Sequence, residues 1–203
     1  MMNYIDIIKN GFLKSATNIQ KMAGDDKFIA QVSAVASVII NSYRNGGRLY
    51  LCGNGGSAAD AQHWAAEMVS KLSRDRTPIP ASAFTVDTSL LTAIGNDYGY
   101  ENSFSRQVLG FVRQNDILVA ISTSGNSPNI LKALKACKSV GGTSILLTGR
   151  EGGAAVNENL ADYSLIVPGA TTDSIQECHL IVYHMLCYLI EIGLVESGHT
   201  KYI

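Results

Sequence analysis

From residue 48 onward the chain alternates short apolar runs with longer stretches whose apolar positions recur every three or four residues. The runs Arg48–Cys52, Ala81–Thr85, Ile117–Ser122, Ser144–Thr148 and Tyr163–Val167 predict strands. Helices are expected near residues 57–72, 88–94, 100–111, 128–139, 153–159 and 173–192. Short, largely apolar strands separated by helices describe a parallel sheet covered on both faces. Connections of that kind are right-handed. The expectation is an α/β protein, a three-layer α/β/α sandwich around a five-stranded parallel sheet.

Two helices come before the first strand. Ile5, Ile8, Phe12, Ala16 and Ile19 keep helical spacing through residues 4–22, and a second helix runs from Phe28 to Tyr43 before Asn45-Gly46-Gly47 ends it. Neither can lie in a βα crossover. Residues 1–45 are therefore expected to pack on the core or on partner subunits, within a single domain of residues 1–203. Residues 193–203 read as a loosely attached tail.

Composition narrows the partners. Hydrophobic residues make up 46% of the 203 and charged residues 16%, with a formal net charge of −1. That balance gives no electrostatic reason to expect nucleic acid. No apolar run approaches the 18 residues of a membrane span, and the first 16 residues lack a signal peptide's apolar stretch, so no membrane partner and a cytoplasmic location are expected. The four cysteines, at 52, 137, 178 and 187, form no CxxC pair and read as reduced core residues.

Two polar loops each follow a strand and open a helix. The first contains Asn54, Gly55, Gly56 and Ser57; the second contains Ser122, Thr123, Ser124 and Ser127, with Pro128 placed to start a helix. Glycines let backbone approach an anion, and amides and hydroxyls near a helix N-terminus supply donors. The first loop partly fits the glycine pattern of a nicotinamide site. The acidic residue expected about 20 positions later is absent, however, since Ser73 and Arg74 stand there. No nucleotide cofactor is expected. The second loop, with hydroxyls at 122, 124 and 127 and the amides of Gly125 and Asn126, favours a phosphorylated small molecule.

Acid–base candidates follow. His63 and Glu67 are four residues apart on one helical face. Near the other end of the chain, Asp173, Glu177 and His184 fall within about 40° of one another at 100° per residue, with Gln176 on the flank. His179 points away from that stripe and reads as a packing or surface residue, and His199 has no evident role. A carboxylate and a histidine suit proton transfer between adjacent carbons. His63, Glu67, Gln176 and His184 could equally surround a divalent metal, and spacing alone leaves both readings open.

The segments CGNGGSAADAQHWAAE, TVDTSLLTAIGNDYGYENSFSRQV, ISTSGNSPNI, LTGREGG and DSIQECHLIVYH together resemble the sugar isomerase (SIS) domain family over residues 28–192. The resemblance implies a flavodoxin- or Rossmann-like SIS fold and an aldose–ketose isomerase that converts sedoheptulose 7-phosphate to D-glycero-D-manno-heptose 7-phosphate through a cis-enediol. It implies cytoplasmic homotetramers with sites between subunits, feeding heptose to lipopolysaccharide core or capsule. It also implies Glu67 and His184 as the acid–base pair, with Ser122, Thr123, Ser124 and Ser127 on the phosphate. Asn54, Gly55, Gly56, Ser57, Asn96, Asp97, Asp173 and Gln176 would line the sugar. Some members bind zinc at positions matching His63, Glu67, Gln176 and His184. One departure is Lys71, where the family commonly has an arginine.

Two rival readings fit the same residues. One is an isomerase of another ketose phosphate. The other is a non-catalytic SIS protein resembling the DnaA-binding initiator-associated protein, a relative that lacks the final histidine present here as His184.

Overall fold

In the computed structural model, which describes residues 3–203, the five apolar runs form one sheet. Its strands are β1 (Leu49–Gly53), β2 (Ala81–Ala83), β3 (Ile117–Ser122), β4 (Thr143–Gly149) and β5 (Tyr163–Val167). They lie in the order β2-β1-β3-β4-β5, and every neighbouring pair is parallel. Observed strand ends differ from the expected ones by at most two residues.

Alternation along the strands builds two cores. Leu49, Leu51, Ile117, Val119, Ile121, Ile145 and Leu147 face one side. They pack with α2 (Asp26–Arg44), α3 (Gly56–Val69) and α8 (Thr172–Glu196). Tyr50, Cys52, Leu118, Ala120 and Leu146 face the other side, against α5 (Ser105–Phe111) and α6 (Pro128–Ser139). The three expected layers are present. All four cysteines are buried and unpaired.

Two predicted helices take a different form. The one expected near 88–94 runs on as α4 (Thr88–Tyr98). The one expected over 100–111 is a 3-10 turn at Tyr100–Asn102 followed by α5. Beyond β4 comes the short α7 (Gly153–Asn157).

The N-terminal helix α1 (Tyr4–Ala23) is capped by the Asn3 side chain, which accepts from the Ile5 amide at 3.1 Å. Asp25 caps α2 in the same way, accepting from the Phe28 amide at 3.0 Å. α2 lies along α8 as part of the first core, whereas α1 fully buries only Asn18 and Met22. Its Tyr4, Ile5 and Phe12 stay about three-quarters exposed.

α8 is long and apolar enough to cross a membrane by length and composition, but half of its most apolar window is buried in this domain. It is a central core helix.

The expected loose tail is a correction to the sequence reading. Gly193–Glu196 continue α8, and Leu194 is buried in the core. Beyond them, the Thr77 amide donates to the Lys201 carbonyl at 3.1 Å, the Ile203 amide donates to the Asp75 carbonyl at 3.0 Å, and Arg76 and Tyr202 form an antiparallel bridge. Thr200 is buried. Periodicity could not reveal this segment, because its partners are backbone groups more than 120 residues away.

Candidate active site

The strand order reverses at β1. From β1 the chain goes to β2 on one side and then crosses to β3 on the other. The loops leaving the carboxyl ends of β1 and β3 therefore diverge, which opens the crevice where α/β sheets bind ligands. These are the two polar loops picked out in the sequence.

The first loop turns into α3 at Gly55, whose φ of +55° is a conformation that side chains rarely adopt. A Cβ on the next residue, Gly56, would collide with the Gln176 amide. Glycine there brings α8 against the first turn of α3. Ser57 is buried in that turn.

In the second loop the Gly125 amide donates to Ser122 Oγ at 3.2 Å, and the Asn126 amide donates to Ser124 Oγ at 3.2 Å. Ser122 Oγ and Ser127 Oγ lie 3.5 Å apart. Ser127 is the N-cap of α6, with Pro128 in its first position. The far side of the loop is fixed by α7, whose Ala154 amide donates to Asn126 Oδ1 at 2.8 Å.

Behind the first loop, His63 Nε2 lies 2.9 Å from Glu67 Oε1, one turn along α3. Tyr183 of α8 holds the other face of the imidazole, its hydroxyl 2.8 Å from His63 Nδ1. With Nε2–H donating to the carboxylate, Nδ1 accepts from the tyrosine. Tyr183 is itself stacked on Trp64, with ring centroids 5.6 Å apart. The His184 ring stands edge-on to His63 at 5.1 Å. One ligand atom each from His63, Glu67 and His184 lies within 4.8 Å of the others. Burial pushes the His184 pKa down, His63 adds to that, and Glu67 opposes it. Its Nε2 is buried with no hydrogen-bond partner among the described residues.

The remaining predicted residues fall in three places. Gln176 sits against Gly56, between the loop and the histidines in α8 order. Asp173 and Glu177 turn toward α1. Glu177 accepts from Ser15 Oγ at 2.6 Å, and Asp173 shares a cleft with Lys14 and Ser15. The Thr171 hydroxyl, then the Ser174 amide, hold the Asp173 pKa low. The single stripe read from α8 is thus divided between two neighbouring helices. Asn96 and Asp97 bond to each other at 2.7 Å on exposed α4, and among the described residues neither hydrogen-bonds to the loops or to the His63 group. Lys71 is exposed, 3.7 Å from Asp75. His179 is fully buried, in keeping with a packing role.

Sequence reasoning missed four residues. Tyr183 precedes His184, and adjacent helical positions do not share a face, so spacing gave no signal. Asn129 exchanges two amide hydrogen bonds with Asn54, at 2.9 and 2.8 Å, and locks the two loops together. Asp60 has a buried, unpartnered Oδ2, and burial raises its pKa to about 6 against the opposing effect of His63. Arg76 looked like one basic residue in a polar run.

Residues 11–149 match the SIS domain. The chain is 45% identical over 191 residues to the phosphoheptose isomerase of Clostridium acetobutylicum, covering 94% of this chain and 95% of that one. It is 46% identical over 200 residues to phosphoheptose isomerase 2 of Campylobacter jejuni, covering 98% of each. The solved phosphoheptose isomerase of Neisseria gonorrhoeae superposes with a TM-score of 0.86 at 39% identity, over 94% of this chain and all of that one.

Proposed function

This chain belongs to the phosphoheptose isomerases of the SIS domain family, and on that premise we propose how its residues isomerise sedoheptulose 7-phosphate to D-glycero-D-manno-heptose 7-phosphate. The observation that carries the reading is the meeting of Glu67 and His184, from helices far apart in sequence, beside the crevice between β1 and β3.

Ser122, Thr123, Ser124 and Ser127, with the amides of Gly125 and Asn126, take the phosphate. The Ser122 and Ser124 hydroxyls already meet those amides, and α6 offers its N-terminus behind them. Asn54, Gly55, Gly56, Ser57 and Gln176 line the sugar. The family resemblance adds Asn96, Asp97 and Asp173 to the sugar lining, although within one chain Asp173 faces α1 and Asn96 and Asp97 bond to each other apart from this group. Anchoring the far phosphate fixes C1 and C2 between the two reactive side chains.

Glu67 removes a proton from C1 of the open ketose, leaving a cis-enediol, and returns it to C2. His184, held neutral by burial, moves the hydroxyl proton from O1 to O2 and assists ring opening. Tyr183 and His63 keep the Glu67 carboxylate oriented throughout.

His63, Glu67, Gln176 and His184 also form a donor set that suits zinc, with two imidazoles, one carboxylate and one amide. The unpartnered Nε2 of His184 fits such a ligand. Zinc bound there would stabilise the negative charge that develops on the enediol oxygens.

Further parts of the reading are a cytoplasmic location and a homotetramer with sites between subunits. The apolar residues left exposed on α1 support assembly. The product would enter heptose synthesis for lipopolysaccharide core or capsule.

The test is an NMR time course in deuterated water with purified protein of defined zinc content and sedoheptulose 7-phosphate. Aldose 7-phosphate should form, and Glu67→Gln should slow turnover by about a thousandfold while phosphosugar binding persists. A folded protein that leaves the ketose unchanged, with or without zinc, would sink the reading.

A further inference from the structure

Helix α3 ends at Val69, two residues past Glu67, so its last carbonyls have no partner within the helix. One side chain serves two of them, and the Met68 carbonyl also accepts from the Ile79 amide at 3.0 Å. Arg76 donates from Nη2 to the Glu67 carbonyl at 2.7 Å and from Nη1 to the Met68 carbonyl at 2.8 Å. Its Nε donates to Glu191 Oε2 at 2.9 Å. Both charged side chains are only 1% exposed. A guanidinium can serve three directions at once because its donors are fixed in one plane.

Glu191 lies seven residues beyond His184 on α8, two helical turns along nearly the same face. The Arg76–Glu191 contact therefore joins the helix that carries His184 to the backbone of Glu67 itself. From outside, residues 200–203 hold the segment around Arg76 through the Thr77–Lys201 and Asp75–Ile203 backbone bonds. The end of the chain, without a role in the sequence reading, thereby acquires one.

We propose that Arg76, braced by Glu191, is a positioning residue that sets the Glu67 carboxylate in register with His184. The proposal rests on the reading of Glu67 as the carrier of the carbon-bound proton. A buried ion pair is poor support for stability by itself, and an apolar pair of similar size often replaces one without loss. What an apolar pair cannot reproduce is the grip on two successive carbonyls.

Two variants separate positioning from stability. Arg76→Lys keeps a cation for Glu191 but loses the planar fork. The double variant Arg76→Met with Glu191→Met leaves no unpaired charge. Each is assayed for kcat, KM and Tm, and its crystal structure is determined. The expected result is a folded protein whose kcat falls about ten- to a hundredfold with KM nearly unchanged, and whose His63–Glu67 contact has opened. A folded variant that retains wild-type kcat with Glu67 in place would overturn the proposal. So would failure of both variants to fold, which would make the pair purely structural. If the wild-type protein does not isomerise the sugar, the functional reading fails, and the position of Glu67 in the variant crystals still decides the role of Arg76.

Discussion

The Tyr183 hydroxyl lies 2.8 Å from His63 Nδ1, and that contact fixes which way the histidine presents its other nitrogen to Glu67. The tyrosine is buried and stacked on Trp64, so it has little freedom to turn away. Tyr183→Phe keeps the packing and removes one donor. Loss of a single buried hydrogen bond costs about 1 kcal/mol, and Tm should drop by about 2–4 °C. Because the orientation of His63 is also lost, kcat should fall about tenfold. Steady-state kinetics beside a thermal melt would separate the two effects, and unchanged kcat would remove Tyr183 from the site.

The paired amides of Asn54 and Asn129 tie the loop after β1 to the helix that follows the loop after β3. Asn129 is almost fully buried and also reaches Ser103 Oγ at 3.3 Å. In Asn129→Ala the Asn54 side chain loses both hydrogen bonds to α6 and, among the described residues, keeps only the Tyr100 hydroxyl at 3.1 Å. The two loops should then move independently. The expected outcome is a KM for the phosphosugar raised about tenfold, one factor of ten for each ~1.4 kcal/mol lost, with kcat less affected.

Burial lowers the His179 pKa from 6.5 to about 4. The folded protein holds this imidazole neutral while the unfolded chain protonates it below pH 6.5. Stability from this group is therefore complete above pH 6.5 and is lost as the pH falls toward 4. The loss is about 3 kcal/mol over that window. Urea midpoints measured between pH 7 and pH 4.5 should show it, and His179→Leu should flatten the slope. An equal slope in the variant would assign the acid sensitivity to other groups.

If His63, Glu67 and His184 hold zinc, adding the ion to chelator-treated protein should stabilise it. At a hundredfold excess over Kd the gain is about 2.7 kcal/mol, a rise in Tm of roughly 5–10 °C. His184→Ala should abolish that shift. A shift that persists in the variant would place the ion elsewhere.

The layers, the number and direction of the strands and the two polar strand-to-helix loops were legible in the sequence, because each is written in local patterns. A strand declares itself by a short apolar run between turns, and a helix by its three-to-four spacing. A strand-to-helix glycine loop announces its own backbone geometry. His63 and Glu67 could be paired for the same reason, since one helical turn separates them. Their union with His184 could not be read this way. It depends on α8 lying against α3, and no periodicity encodes the distance between two helices.

The sequence by itself determined this protein's layered architecture, its two polar strand-to-helix loops and the family to which it belongs; the reversal of strand order at β1, and with it the crevice, came from the tertiary structure. Only the tertiary structure decided which side chains share that crevice. It turned Glu177 to α1 while His184 met His63, paired Asn54 with Asn129, and carried Arg76 inward to the end of α3. The physical reason is one of range. Backbone propensity and hydrophobic period act over a few residues, whereas these contacts join polar groups up to 162 residues apart and exist only once the layers have closed.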